Sequence, residues 1–137
     1  MQTNQTQTWQ QTDAQLLEAL LLATGGEGGA PLQEVLLMAD AVDGTVFTLD
    51  ELQQSLEHLL AVNYIQIQKK KLALTTEFLQ AYEAITLQEG PDAAEKPLLK
   101  LLQQQEIAKE KLEAVRQQEL KKYKLKNHYQ QYLEQFG

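Results

Sequence analysis

The stretch Tyr64-Ile65-Gln66-Ile67-Gln68-Lys69-Lys70-Lys71-Leu72-Ala73-Leu74-Thr75 changes the hydrophobic period of the chain from helical to two. Ile65 and Ile67 alternate with Gln66 and Gln68, and Leu72 and Leu74 flank Ala73 beyond the lysines. This alternation predicts two short strands joined across the basic residues, a β-hairpin with a cationic tip.

Outward from the hairpin the pattern is helical on both sides. Upstream, Thr48-Leu49-Asp50-Glu51 has the form of a capping box, and Leu49, Leu52, Leu56, Leu59 and Leu60 then line one side of a helix that Asn63, tolerant of positive φ, should stop. Before it, Pro31 suits a first helical turn, Leu32, Val35, Leu36, Ala39 and Val42 continue an apolar face, and Gly44 ends it. A first helix is expected from the capping box at Thr12-Asp13-Ala14-Gln15, with Leu16, Leu17, Leu20 and Leu21 as its stripe and the run Gly25-Gly26-Glu27-Gly28-Gly29 as a flexible loop. Downstream, Thr76 is placed to cap a helix carrying Phe78, Leu79, Tyr82 and Ile85, closed by Gly90-Pro91.

After Pro97 no glycine or proline occurs until Gly137, and the residues are good helix formers. A straight helix there would run about 58 Å, longer than a small domain. Leu98, Leu101, Leu102, Gln105, Ala108, Leu112 and Val115 follow a near-heptad, which slips to Leu120, Tyr123, Leu125, Tyr129, Tyr132, Leu133 and Phe136. Either the helix breaks and folds back, or its stripe meets another subunit. With no breaker in sight, the expectation is a homodimer in which Leu98, Leu101, Leu102, Leu112, Val115, Leu120 and Tyr123 form the interface. The fold class is therefore mainly α with a small β-hairpin: a disordered arm over 1–11, a domain over 12–88 and a helical extension for oligomerisation over 89–137.

At 137 residues, 43% of them apolar and 23% charged, the chain has room for one modest core. Its longest apolar runs are far shorter than the roughly 20 residues of a membrane span, and the Gln/Thr-rich start lacks the basic and apolar parts of a secretory signal, so a cytoplasmic protein is expected. Without cysteine there is no disulfide, thiolate ligand or thiol nucleophile. Charge is unevenly placed. Residues 1–90 hold 12 acids and 3 bases, the latter being Lys69, Lys70 and Lys71; residues 91–137 hold 7 acids and 9 bases.

The residues Phe47-Thr48-Leu49-Asp50-Glu51-Leu52, continuing through Leu56, Leu59, Leu60 and Asn63-Tyr64-Ile65, and then Leu72-Ala73-Leu74-Thr75-Thr76-Glu77, resemble the third helix, wing and following helix of winged helix-turn-helix regulators of the MarR and PadR types. Met38-Ala39-Asp40-Ala41-Val42 with Phe47-Thr48 is similar to small uncharacterised bacterial winged-helix proteins. The resemblance covers residues 12–88 and implies that the third helix enters the major groove while the wing touches phosphate. On that reading Lys69, Lys70 and Lys71 would contact the backbone, and Gln53, Gln54 and His58 would face base edges. The outward residues of the helix would also include Asp50, Glu51 and Glu57, which repel a polyanion, so charge disfavours DNA and a regulatory module acting through protein interaction and self-association is the first expectation.

Other candidates have plain explanations. Ser55 and His58 could be neighbours on the third helix, but no orienting acid or oxyanion donors are evident, so both are read as solvated and no catalytic residue is expected. The histidines lack ligand spacing, so no metal and no cofactor is expected. Lys121, Lys122, Lys124 and Lys126, interleaved with Tyr123, Leu125 and Tyr129, could contact nucleic acid or simply solvate a helix. Trp9 is expected to pack on the domain.

Overall fold

A computed structural model describes residues 9–90 and 97–136. The first helix, α1 (Gln11–Thr24), has Gln10 as its N-cap and so starts two residues earlier than the Thr12 capping box would place it. The reason is Asp13, whose Oδ2 accepts the Gln10 backbone N–H at 2.8 Å and so holds the first turn open at Gln10. Gly25 ends the helix in the left-handed region, its N–H on the Leu21 carbonyl.

The glycine run beyond is more than a linker. Gly29–Ala30 forms a short strand, β1, antiparallel to the second hairpin strand, with Gly29 opposite Ala73 and Ala30 opposite Leu72. A Cβ on Gly29 would lie 3.0 Å from the Lys71 Cβ and 3.1 Å from the Leu72 carbonyl oxygen, so this pairing needs the bare backbone. α2 (Leu32–Asp43) follows, with Pro31 just outside its first turn and Gly44 as left-handed stop. α3 (Leu49–Ala61) has the expected reciprocal cap: Glu51 N–H donates to Thr48 Oγ1 at 3.1 Å and Thr48 N–H to Glu51 Oε1 at 2.9 Å.

The hairpin lies where the alternation puts it, as β2 (Ile65–Gln68) and β3 (Lys71–Leu74), giving a three-stranded antiparallel sheet in the order β1-β3-β2. The chain is mainly helical with this one small sheet. Asn63 adopts φ 61° at the α3 exit. The next helix, α4 (Thr76–Glu89), is capped by Thr75 and not by Thr76: Thr75 Oγ1 accepts the Phe78 N–H at 3.1 Å while donating to the Asn63 carbonyl at 2.7 Å.

The expected long C-terminal helix is broken. It runs as α5 (Pro97–Gln103), an irregular link, α6 (Lys109–Val115), a π-helical turn over Arg116–Leu120, the single turn α7 (Lys121–Tyr123), and α8 (Leu125–Phe136), with Lys124 left-handed at φ 58° between the last two. Burial supplies what propensity does not. Ile107 is fully enclosed, and drawing it inward extends the link, whose Gln105 carbonyl accepts the Trp9 indole N–H at 3.0 Å. Leu98, Leu101, Leu102, Leu112, Val115, Leu120 and Tyr123, expected as a dimer seam, are instead part of one intramolecular core with Leu17, Leu52, Leu56 and Phe78.

Candidate functional site

α3 is the helix on which a base-reading function would rest, and the returning C-terminal segment closes over it. Glu57, expected at the surface, is buried against Arg116, which donates from Nε to Oε2 and from Nη2 to Oε1, both at 3.0 Å. This two-pronged pair matches the planar guanidinium to the carboxylate, and Gln53 Nε2 adds a third donor at 3.0 Å. Burial alone would raise the Glu57 carboxyl; the Arg116 and Gln53 hydrogen bonds outweigh it and hold the group below the ordinary glutamate value. Gln53 is thus committed to an internal contact, and Gln54 stays exposed.

His58 is also turned inward, at 1% exposure. Its Nδ1 lies 3.1 Å from Asp13 Oδ2, a carboxylate that is itself enclosed, and its ring meets Trp9 edge-on at 5.7 Å. Trp9 packs on the domain as expected. The pair of His58 and Asp13 supplies an orienting acid that the sequence did not reveal, because it joins residues 45 positions apart. Ser55 is buried as well, and its Oγ has no hydrogen-bond partner among the described residues. Ser55 and His58 are therefore interior groups, not solvated ones. The cluster ties α1, α3 and the 104–108 link together, with Asp13, Ser55 and His58 all buried. Among the described residues no three of His, Asp and Glu gather as a metal site.

Two surfaces remain open. The first is cationic. Lys69 and Lys70 occupy the hairpin tip with φ of 51° and 66°, a two-residue turn in which both backbones are left-handed. Lys70 lines a recess of about 210 Å³ with Lys122, Gln118 and Glu119, so one lysine from each of two runs remote in sequence meets there. A separate groove of about 430 Å³ is lined by residues that include Gln53, Arg116, Lys121, Lys124 and Lys126. Tyr123 stacks on His128 at 4.4 Å; burial, together with nearby Lys70, lowers the His128 pKa from its ordinary value despite an opposing backbone hydrogen bond.

The second surface is apolar and acidic. Ala23 of α1 and Leu37, Met38 and Ala41 of α2 form a shallow recess of about 330 Å³ with Glu34 in its wall, and Leu22, Val42 and Val46 are exposed large apolar residues on these elements and the loop that follows. From Met1 to Gln68 the chain holds nine carboxylates and no lysine or arginine. No described helix is long and apolar enough to cross a membrane. The chain matches no family model, no curated protein and no solved structure.

Proposed function

We propose that the chain is a non-enzymatic regulatory protein of winged-helix type that acts by binding a protein partner through its α1–α2 face. The order helix, strand, helix, helix, hairpin, helix, with β1 beside β3, supports the winged-helix reading. The covering of α3 speaks against a reader of base sequence: Glu57, His58 and Gln53 are occupied internally, and only Gln54 of the glutamine pair is free to meet a groove. Self-association through the stripe after Pro97 would require opening the core.

The observation that carries the proposal is the apolar recess of Ala23, Leu37, Met38 and Ala41 set among carboxylates. Its complement is an amphipathic segment whose apolar side chains enter the recess and whose flanking residues are Lys or Arg. A second copy of the same face fits less well, because Glu34, Asp40 and Asp43 would oppose themselves across a two-fold axis.

The test is titration of the full chain with a fluorescent helical peptide of Leu and Lys, a Leu/Glu peptide of the same pattern, and a Ser/Lys peptide of the same charge. The Leu/Lys peptide should bind, the Leu/Glu peptide should not, and the Ser/Lys peptide should bind at least about tenfold more weakly. Leu37→Gln with Val42→Gln, both at exposed positions, should weaken the Leu/Lys complex by about tenfold without changing the fold. Equal binding of all three peptides, or indifference to the double variant, would refute this use of the face.

A further inference from the structure

We propose that the groove lined by Gln53, Arg116, Lys121, Lys124 and Lys126 is a binding site for a small anion built of linked phosphates. The inference goes beyond the protein-binding role, concerns residues outside the α1–α2 face, and makes no use of the hairpin.

Two backbone irregularities assemble the groove. On a regular α-helix residues five apart point about 140° away from each other, so Arg116 and Lys121 would face different ways. The π-helical turn closes the Lys121 N–H onto the Arg116 carbonyl, and this wider turn brings the two side chains towards one side. Residues two apart on a helix point about 160° away from each other, which would send Lys126 away from Lys124. Lys124, left-handed at φ 58° and ψ 55°, interrupts the helix and re-aims the chain, and Lys126 lines the same groove as Lys124. Burial of Leu120 and Leu125 accounts for the segment lying on the core, but it does not require four cations to converge. A lysine held left-handed is strained where glycine would not be, and strain of this kind gathers at ligand sites.

The lining selects the ligand. None of the residues described around the groove is a carboxylate, and among the described residues no ion pair engages Lys121, Lys124 or Lys126. Arg116 already has its planar fork on Glu57, so the two-pronged grip that suits a carboxylate is taken. Three ammonium groups are left, compact charges matched to the dense negative charge of adjoining phosphates. Leu120 and Leu125 form an apolar part of the wall, which lowers the local dielectric and strengthens that attraction. No aromatic ring is among the described lining residues, so nothing there stacks on a nucleobase and the phosphate chain itself is what the groove grips. The volume of about 430 Å³ lies within the range of small-molecule sites.

The experiment is isothermal titration calorimetry of the full chain, in low salt and without divalent cations, against tripolyphosphate, ATP, orthophosphate and citrate. Tripolyphosphate and ATP should bind within about threefold of each other, and both at least about tenfold more tightly than orthophosphate or citrate. Changing Lys121, Lys124 and Lys126 together to Gln should weaken tripolyphosphate binding by at least about tenfold, whereas Lys70→Gln with Lys122→Gln, in the neighbouring recess, should change it by less than about twofold. Lys124→Gly keeps the left-handed turn without its ammonium, so it should weaken binding by about threefold without lowering Tm, and circular dichroism of each variant monitors folding. The proposal is overturned by absence of tripolyphosphate binding, by citrate or orthophosphate binding as tightly, by an equal loss in the Lys70, Lys122 variant, or by tighter binding to a mixed-sequence duplex than to tripolyphosphate. The Leu37→Gln, Val42→Gln variant should bind tripolyphosphate normally, so this groove and the α1–α2 face stand or fall separately.

Discussion

Glu57 shows how a residue's neighbours reverse its reading. Helical spacing puts it on the outward side of α3, yet its carboxylate is 7% exposed and held by a guanidinium 59 residues away, itself half in solvent at 47%. Removing the cation strands the buried acid, so Arg116→Gln should destabilise the chain by about 1 to 2 kcal/mol, a figure reduced by the solvent around the guanidinium. The pH dependence has a definite sign. Because the folded carboxyl titrates below the unfolded one, its stabilising contribution is complete above the ordinary glutamate range and disappears as pH falls through the lowered folded value. Urea titrations should thus separate the variant from the parent most at neutral pH and least in strong acid. His128 follows the same sign in a milder window: it titrates below its unfolded value, so its contribution fades as pH falls from near 6.5, which His128→Gln would abolish. Neither effect was legible in the sequence, since Arg116 and Lys70 are brought to their targets only by the fold-back.

Elements with local causes were legible and elements with distant causes were not. The hairpin, the Thr48 cap and the Asn63 stop rest on residues within a few positions of one another, and the structure has them where the spacing put them. β1 was missed because a two-residue strand carries no period, and its partner residues lie 42 and 44 positions on. The C-terminal breaks were missed because they occur at Gln105 to Ala108, in the π-helical turn and at Lys124, none of which has a glycine or proline; burial of Ile107 and Leu125 overrides a favourable propensity. The hairpin turn holds a local conflict of its own. Lys69 and Lys70 are both left-handed, a conformation that Asn-Gly adopts far more easily. Lys69→Asn with Lys70→Gly should raise stability by about 1 kcal/mol, visible as a higher Tm.

For the whole molecule, one cluster of buried residues runs from α1 to α8, so the C-terminal third is a wall of the core and not an appendage. The expected division at residue 88 gives way to a single unit. Removing residues 109–137 would strip Leu112, Val115, Leu120, Tyr123, Leu125 and Tyr132 from that cluster and should abolish cooperative unfolding. In the intact chain, Trp9 fluorescence and far-UV dichroism should report coincident transitions, since the one tryptophan sits where α1, α3 and the link meet. Charge is arranged on the same scale: the first 68 residues hold nine carboxylates and no lysine or arginine, and Glu57 draws its cation, Arg116, from the C-terminal segment.

The span of the longest-range contacts bears on how such a chain is made. The indole of Trp9 finds its acceptor 96 residues later, and Glu57 waits 59 residues for its counter-ion. During synthesis the amino-terminal helices therefore leave the ribosome with their acids uncompensated and their leucines half covered, and a stalled product ending near Gly90 would be prey for proteases and chaperones until translation delivers the remainder.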